Sequence, residues 1–245
     1  MANVMGALLR RSVHVPVIST VHSDYRLDYL GRPFARMIYG TLNTWALHRL
    51  DYRVCVSDPI RRRLIDRGFE PNRLFSIYNG LDFSHVVPHT DRAAYFAQFG
   101  YTVHEGDIIA GIAARLDPVK DIPTLIRAVA LAQKACPQLR LAIAGDGKER
   151  KKLEALTKEL GLEDSVFFLG WVNDLDSFYG ALDINTLSSV SEAFPYALPE
   201  GARAHLATVA SNVGGVPAII EHGVTGLLFE PGDVLSLIHI SEPTR

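Results

Sequence analysis

Two glutamates in the segment SEAFPYALPEGARA have a spacing that suits the binding of a polar ligand. Glu192 and Glu200 stand eight positions apart, with Pro195, Pro199 and two aromatic residues between them. The prolines are typical of a loop that leads into a helix, because proline is tolerated in the first helical turn. We therefore expect Glu192 in the loop, facing a cleft, and Glu200 at the helix start, so that each carboxylate accepts hydrogen bonds from a different part of one ligand. Taken singly, Glu200 equally suits the helix dipole and Glu192 a surface loop.

Two cations, Arg115 and Lys120, follow a predicted strand at the point where it gives way to a helix. The strand is DIIAGIAAR and the turn is LDPVK. Two fixed positive charges with nearby backbone N–H groups suit a diphosphate, although loop cations are also often simply solvated. Gly145 and Gly147 likewise lie between a strand and a helix, and they indicate a tight turn. Arg150 occupies the third glycine position of a dinucleotide fingerprint, so that motif is incomplete.

Composition excludes several classes of function. The chain has 245 residues, of which 48% are hydrophobic and 21% charged, a balance typical of globular proteins. A formal charge of −2, with acids and bases intermingled, predicts no partner nucleic acid. Cys55 and Cys136 lack metal-binding spacing and are interpreted as inert reduced thiols, which suits the cytoplasm. No apolar run reaches the length of a membrane span, and the first residues lack the pattern of a signal peptide.

From residue 107 onward, predicted strands and helices alternate. The predicted strands are DIIAGIAAR, LRLAIAGDG, SVFFLGW, DINTLSS, ATVASNV and TGLLFEP. The predicted helices are DIPTLIRAVALAQKAC, ERKKLEALTKELGL, LDSFYGAL, PEGARAH and VPAIIEHG. This alternation predicts right-handed crossovers and a doubly wound parallel sheet covered on both faces. Ligands of such sheets bind beyond the carboxyl ends of the strands, where the candidate residues fall.

The first part of the chain has the pattern of a second, incomplete α/β domain. Predicted strands are VPVISTVHS, DYRVCVS and RLFSIYNGLD, and predicted helices are RPFARMIYGTLNTWALHRL and DPIRRRLIDRG. No glycine-rich strand-turn-helix precedes them. We therefore predict a partial Rossmann-like domain over residues 1–88, a linker with a short helix over 89–106, and a second domain over 107–234, with the boundary near Pro88.

In their order along the chain, these motifs resemble the retaining family 4 glycosyltransferases of the GT-B fold. The segments that carry the resemblance are STVHSDY, CVSDPIRRRLIDRGF, IYNGLDF, ARLDPVKD, AGDG, LGWV, EAFPYALPE and NVGGVPAIIEHGVTGLLFEPGD. They extend over residues 13–234, and the glutamate pair together with the Arg/Lys pair is a specific combination. The resemblance implies an α/β fold of two Rossmann-like doubly wound parallel-sheet domains that face a cleft, the first acceptor-side and incomplete, the second donor-binding.

The resemblance also implies a role for each candidate residue. Arg115 and Lys120 would hold the donor diphosphate and neutralise the leaving group. Glu192 would contact the transferred sugar and Glu200 the ribose hydroxyls, and His22 would face the reacting sugar. The remaining members of the implied donor site, which hold the sugar and phosphates or frame the base, are Gly145, Trp171, Val172, Ala193, Phe194 and Pro195.

The implied reaction is transfer of a glycosyl group from a nucleotide diphosphate sugar with retained anomeric configuration. In this family the donor is commonly a UDP-sugar and the acceptor a glycan or a lipid-linked molecule. Cations can stabilise the departing diphosphate without a metal, so no metal and no cofactor is expected. Asp174 and Asp176 have the Asp-x-Asp form that binds a divalent ion in another glycosyltransferase fold. Because Asp174 stands where LDSFYGAL requires an N-cap, we predict a capping role for it.

Three features leave alternatives open. Ala207 and Ala218 depart mildly from the family pattern, and the N-terminal glycine-rich loop of such enzymes is absent. Residues 235–245 resemble a translated sequencing adapter and are predicted to be non-native. We therefore expect residues 1–234 to bind nucleotide weakly and to transfer no sugar. A nucleotide-sugar epimerase or phosphorylase of the same fold, or an inactive nucleotide-binding fragment, remains an alternative.

The predicted location is cytoplasmic, with peripheral contact at the inner face of the membrane as an option. The sequence predicts no oligomeric state.

Overall fold

The chain divides by packing into two compact units. A computed structural model describes residues 2–10, 12–24 and 33–237. The first unit comprises the described residues up to Gly80, together with 191–194 and 214–216. The second unit comprises the other described residues from Leu81 onward. Each unit is built on a parallel sheet, as the alternation of strands and helices predicts.

The first unit contains a three-stranded parallel sheet in the order β1-β2-β3. Its strands are β1 (Ile18–Val21), β2 (Tyr52–Cys55) and β3 (Leu74–Ser76), and its helices are α1 (Ala2–Leu9), α2 (Pro33–Arg49) and α3 (Asp58–Asp66). Ile18 pairs with Tyr52, and Arg53 pairs with Leu74. The three predicted strands and two predicted helices of this region are therefore confirmed.

Local sequence explains where α3 begins and ends. Ser57 is extended at the N-cap and a proline follows in the first turn, where its missing N–H costs nothing. Ile60 and Leu64, four positions apart, lie on the same face and are both buried. The chain then leaves the helix through Gly68, whose φ of 85° is a left-handed conformation that favours glycine.

A buried ion pair ties the end of β1 to α3. Asp24 is 7% exposed. Its carboxylate accepts two hydrogen bonds from Arg67, both of 2.8 Å, and one from Arg63 at 3.0 Å. Because a bidentate arginine fixes both oxygens of a carboxylate, this contact holds the segment that follows β1 in a defined position.

The second unit contains a six-stranded parallel sheet in the order β6-β5-β4-β7-β8-β9. Its strands are β4 (Ile108–Ala113), β5 (Leu139–Ala144), β6 (Val166–Gly170), β7 (Ile184–Leu187), β8 (Ala207–Ser211) and β9 (Leu227–Phe229). Its helices are α4 (Arg92–Ala97), α5 (Ile122–Ala132), α6 (Arg150–Glu159), α7 (Leu175–Gly180), α8 (Ala197–Arg203) and α9 (Val234–Leu237). The chain winds outward from β4 in one direction and returns to β7 on the other side, so the topological switch point lies between β4 and β7.

One predicted helix is wrong. The segment VPAIIEHG forms only a single 3-10 turn, Val216–Ala218. A turn follows in which the Glu221 N–H donates to the Thr225 hydroxyl at 2.8 Å and the Gly223 N–H donates to the Gly226 carbonyl at 2.8 Å. These bonds satisfy backbone groups that a longer helix would have used, so the helix stops. The other predicted strands and helices of this unit are present.

The division between the units falls at Gly80, upstream of the predicted boundary near Pro88. The segment after Gly80 is bonded to helices of the second unit: the His85 ring contacts Asp176 at 2.7 Å, and the Asp82 carbonyl accepts from Arg203 at 3.5 Å. Within the predicted linker, Phe96 in α4 is fully buried in the second unit's core. These contacts place residues 81–106 in the second unit. Of the predicted non-native tail, residues 238–245 lie outside the described residues.

Candidate functional site

A pocket of about 290 Å³ lies at the carboxyl ends of the central strands of the second unit. This volume is close to the lower limit for small-molecule sites. Its walls come from the loops after β4, β5, β6 and β7 and from the start of α8. Seven of the residues that the sequence predicts for the site line this pocket: Arg115, Lys120, Gly145, Trp171, Val172, Pro195 and Glu200. The strand order thus brings together side chains that are far apart in the sequence.

Arg115 and Lys120 are presented by a short turn after β4. Asp117 caps the 3-10 turn Pro118–Lys120 by accepting a hydrogen bond from the Val119 N–H at 3.1 Å. The Arg115 guanidinium approaches the same carboxylate at 3.4 Å, yet its side chain is 78% exposed. Because an exposed ion pair of this kind contributes little, the arginine can turn toward an anionic ligand at small cost.

The backbone of Lys120 is held from two sides. Its carbonyl accepts a hydrogen bond from the Ser188 hydroxyl at 2.7 Å, and the Val119 carbonyl accepts one from the Val190 N–H at 2.8 Å. The next residue, Asp121, has a φ of 44°, a left-handed conformation uncommon outside glycine. Burial raises the pKa of the Asp121 carboxyl. The sequence analysis missed Ser188, because a serine after a strand carries no specific signal.

Gly145 allows two loops to approach each other closely. Its φ is 137°, and a Cβ added here would lie 1.9 Å from the Ala114 carbonyl oxygen. The Gly145 N–H donates to the Gly170 carbonyl at 2.7 Å, which connects the loops after β5 and β6. Gly147 is similarly close to the Leu116 carbonyl, at 2.4 Å from an added Cβ. The two glycines therefore form the tight turn that the sequence indicates, and Gly145 lines the pocket.

Glu200 is half-buried in the first turn of α8, and its carboxylate contacts a buried tyrosine. The hydroxyl of Tyr179, in α7, donates to Glu200 Oε2 at 3.0 Å. Burial, and then the Glu200 charge, raise the pKa of Tyr179 well above its usual value, so this hydroxyl keeps its proton. Sequence reasoning missed Tyr179, because a tyrosine on the apolar face of a short helix is typical of an ordinary core residue.

Trp171 and Val172 form one wall of the pocket immediately after β6. The Trp171 side chain is 72% exposed, and its indole N–H donates to Asn173 Oδ1 at 2.9 Å. Gly170, with a φ of 70°, turns the chain at this point. The arrangement offers an exposed aromatic face and nearby backbone groups to a ligand, the combination that recognises a planar ring.

The Asp174 and Asp176 pair has structural partners. Asp174 accepts from the Ser177 N–H at 3.1 Å and from the Ser177 hydroxyl at 2.6 Å, and these bonds lower the pKa of its carboxyl. Asp176 pairs with His85 and Arg203. The predicted N-cap role of Asp174 is confirmed. Among the residues that the structure describes, no cluster of three or more His, Cys, Asp or Glu side chains is arranged to hold a metal ion.

The other predicted site residues belong to the first unit by packing. His22 is exposed directly after β1. Glu192 is half-buried. Its backbone carbonyl accepts a hydrogen bond from the Gly215 N–H at 3.1 Å. Ala193 is 6% exposed, and the Phe194 ring meets Tyr78 edge-on at 5.8 Å between centroids. The loop that carries Glu192 is thus fixed within the first unit by the diglycine segment and by aromatic packing.

Neither cysteine is joined in a disulfide. Cys55 and Cys136 are both present as thiols. Burial raises the pKa of the Cys55 thiol to about 11, so it carries very little thiolate at neutral pH. In the described part of the chain, no helix combines the length and the apolar character needed to cross a bilayer.

Two protein families match the chain. The family described as "Glycosyl transferases group 1" matches residues 96–240, and "Glycosyltransferase Family 4" matches residues 1–85. These two matches follow the two halves of the chain, with the larger match over the pocket.

Individual proteins show the same relationship. The chain is 29% identical over 206 residues to N-acetyl-alpha-D-glucosaminyl L-malate synthase of Bacillus anthracis, covering 76% of this chain and 54% of that protein. It is 23% identical over 241 residues to the Escherichia coli UDP-Gal:alpha-D-GlcNAc-diphosphoundecaprenol alpha-1,3-galactosyltransferase, covering 96% of this chain and 62% of that protein.

A solved structure shows a similar fold. Anabaena Alr3699/HepE in complex with UDP and glucose superimposes with a TM-score of 0.84 at 26% identity, over 98% of this chain and 64% of that one. This similarity confirms the predicted fold class, α/β of the GT-B type with Rossmann-like parallel sheets. The chain spans between 54% and 64% of the lengths of these three proteins.

Proposed function

Because this chain belongs to the group 1 glycosyl transferases, we propose that the protein transfers a glycosyl group from a nucleotide diphosphate sugar to an acceptor. The observation that carries the proposal is the pocket of the second unit. It combines two cations, Arg115 and Lys120, with a carboxylate, Glu200, and the exposed aromatic side chain of Trp171. A nucleotide diphosphate offers the matching groups: two phosphates, a ribose diol and a planar base.

In this proposal Arg115 and Lys120 bind the diphosphate. The anomeric carbon–oxygen bond breaks in an oxocarbenium-like transition state, and the electron pair leaves with the diphosphate. Cations in contact with the diphosphate stabilise that growing negative charge. The Ser188 hydroxyl bond to the Lys120 carbonyl and the Val190 N–H bond to the Val119 carbonyl support this role, because they hold the backbone from which the Lys120 side chain extends. No metal and no further cofactor is part of the proposal.

Glu200 is assigned to the ribose hydroxyls and Trp171, with Val172, to the base. A carboxylate accepts hydrogen bonds from two neighbouring hydroxyls, and it cannot donate to them while ionised. The exposed indole offers a stacking surface to any base. We assign to Gly145 and Pro195 a backbone role: at these two residues the backbone approaches the phosphates and the sugar closely.

Glu192, with the backbone of Ala193 and Phe194, is assigned to the transferred sugar, and His22 is assigned to face the reacting sugar. We propose that anomeric configuration is retained. Retention requires either attack on the face from which the diphosphate departs or two successive displacements. The resemblance to retaining family 4 enzymes supports this assignment.

For the donor we propose a UDP-sugar, supported by the UDP in the Anabaena structure. For the acceptor we propose a glycan or a lipid-linked sugar, supported by the diphosphoundecaprenol acceptor in the name of the Escherichia coli relative. The Bacillus anthracis relative is named for L-malate, so acceptor chemistry differs among similar proteins. A cytoplasmic site of action, with peripheral contact at the inner membrane face, follows from a lipid-linked acceptor and is part of the proposal.

Calorimetric titration with UDP, GDP and ADP tests the donor site. We expect UDP to bind and the other two to bind at least tenfold more weakly. Glu200→Ala should weaken UDP binding about tenfold, the change that follows from losing one charged hydrogen-bond acceptor. Glu163→Ala is the matched control, because Glu163 is an exposed glutamate of the same unit that does not line the pocket. Absence of nucleotide binding by a folded chain would refute the proposal.

Proton NMR of UDP-glucose hydrolysis tests retention in a preparation that turns over; residues 1–234 alone are expected to bind nucleotide and to transfer no sugar. An enzyme that retains configuration releases α-glucose first, before mutarotation produces the β anomer. Early appearance of β-glucose would contradict a retaining mechanism while leaving the donor site intact.

A further inference from the structure

Tyr179 places a polar group inside an otherwise apolar core. The residue is fully buried in α7, in a cluster that includes Phe178, Phe167 and Leu182. Its ring contributes to this core as a phenylalanine would. The hydroxyl is different, because a buried hydroxyl without a partner costs free energy.

In the part of the chain that the structure describes, the hydroxyl has one hydrogen-bond partner, which lies on the wall of the candidate pocket. It donates to Glu200 Oε2 at 3.0 Å, from α7 to α8. Within the described residues, no other side chain hydrogen-bonds the Glu200 carboxylate. Arg203 stands three positions further along α8 but pairs with Asp176 instead. Among the described residues, Glu200 therefore has no ion-pair partner and most of its acceptor capacity stays unused.

A single bond of this kind has a geometric consequence. The terminal torsion of glutamate is broad, so the plane of a carboxylate is poorly defined by its own side chain. A hydrogen bond to one oxygen from a rigid, buried ring defines that plane. The second oxygen, and the remaining lone pairs of the first, then point in fixed directions from the pocket wall.

We propose that Tyr179 is a positioning residue, which orients the Glu200 carboxylate so that both oxygens receive the two neighbouring hydroxyls of a ribose. The proposal rests on the proposed function of this pocket as the nucleotide site. It assigns to Tyr179 a part in discrimination between ribonucleotides and 2′-deoxyribonucleotides. A merely structural tyrosine would affect the affinity for both kinds of ligand equally.

The test compares UDP with 2′-deoxy-UDP in the full chain and in Tyr179→Phe. In the unsubstituted chain we expect UDP to bind about tenfold more tightly than its deoxy analogue, since one hydroxyl–carboxylate bond is lost. Tyr179→Phe keeps the ring and removes only the hydroxyl. We expect it to weaken UDP binding about fivefold, to leave 2′-deoxy-UDP nearly unchanged, and so to reduce the discrimination to about twofold.

Tyr95→Phe is the matched control. Tyr95 lies in the same core cluster and is 7% exposed, and its hydroxyl has no hydrogen-bond partner within the described residues. Removal of that hydroxyl should leave both affinities unchanged. A double-mutant cycle adds a second control: in a Glu200→Ala background, Tyr179→Phe should change the UDP affinity by less than about twofold, because the group that it orients is absent.

The possible outcomes are separable. Equal loss of affinity for UDP and 2′-deoxy-UDP in Tyr179→Phe, or no loss of either, overturns the positioning role and leaves the proposed function standing. Failure of the unsubstituted chain to bind any nucleotide overturns both. If Tyr179→Phe does not fold, Tyr179→Leu replaces it, since leucine is also apolar and likewise lacks a donor to Glu200. Ribose discrimination that persists in Tyr179→Leu overturns the proposal, and its reduction with nearly unchanged affinity for 2′-deoxy-UDP supports it.

Discussion

Replacement of Gly145 with alanine perturbs the closest approach between two loops of the candidate pocket. The glycine has a φ of 137°, a backbone conformation that residues other than glycine rarely adopt. The added Cβ would lie 1.9 Å from the Ala114 carbonyl oxygen, whereas real Cβ contacts are essentially never shorter than 3.0 Å. One of the two backbones must therefore move by about an ångström, and Arg115 follows Ala114 directly.

Two terms contribute to the expected loss of stability. The unfavourable backbone conformation costs about 1 to 3 kcal/mol. Overpacking against a backbone carbonyl costs about 1 to 3 kcal/mol more. We expect a total near 4 kcal/mol. Gly161→Ala provides a matched control, because Gly161 has a φ of 66° but nothing within 4 Å of an added Cβ. Conformational strain alone should destabilise that variant by about 1 to 2 kcal/mol.

Urea denaturation followed by circular dichroism measures the difference between the two variants. We expect Gly145→Ala to lose about 2 to 3 kcal/mol more than Gly161→Ala. Calorimetry should also show UDP affinity reduced at least tenfold in Gly145→Ala and unchanged in Gly161→Ala. Equal stabilities of the two variants would refute the steric argument, and full UDP affinity in Gly145→Ala would refute the assignment of this turn to the pocket.

Two further predictions concern one buried and one partly buried carboxylate. Asp24→Asn should destabilise the first unit by about 3 kcal/mol, because it removes the buried negative charge that Arg63 and Arg67 contact; thermal melting measures the loss. Glu70→Gln, which removes an exposed ion pair, should have an effect below about 1 kcal/mol. Asp121→Asn should stabilise the chain at pH 7, because the raised pKa of Asp121 means that folding disfavours its ionised form. Asparagine also tolerates the left-handed φ of this position. Each kcal/mol gained should raise Tm by about 2 to 4 °C. That gain should disappear as the pH falls below 3.8, the ordinary value for this carboxyl, where both folded and unfolded chains are protonated.

These two predictions can fail in distinct ways. An Asp24→Asn variant with the same Tm as the unsubstituted chain would show that the ion pair is solvated or contributes nothing to stability. An Asp121→Asn variant that is less stable at pH 7, or equally stabilised at every pH, would show that burial of the charge is not the cause of the effect.

The sequence determines the local structure of this protein well. Alternating strand and helix patterns from residue 107 onward predict the parallel sheet, and Asp174 predicts the start of α7 through its capping bond to Ser177. The sequence also identifies seven residues that line the pocket, because the motifs that carry the family resemblance fall at the carboxyl ends of strands, where ligands of such sheets bind. VPAIIEHG shows where periodicity fails: its apolar spacing suits a helix, but the bonds of the following turn limit it to one 3-10 turn.

The tertiary structure alone decides which groups hold those residues in place. Tyr179 reaches Glu200 across 21 positions, Ser188 reaches Lys120 across 68, and Asp24 reaches Arg67 across 43. Each contact depends on strand order and helix packing, which arise from the burial of apolar surface over the whole unit and leave no local signal. Tyr179 and Tyr95 are both core tyrosines and look the same in the sequence. Among the described residues, the Tyr179 hydroxyl has a hydrogen-bond partner and the Tyr95 hydroxyl has none, because the position of the neighbouring helix determines what each hydroxyl contacts.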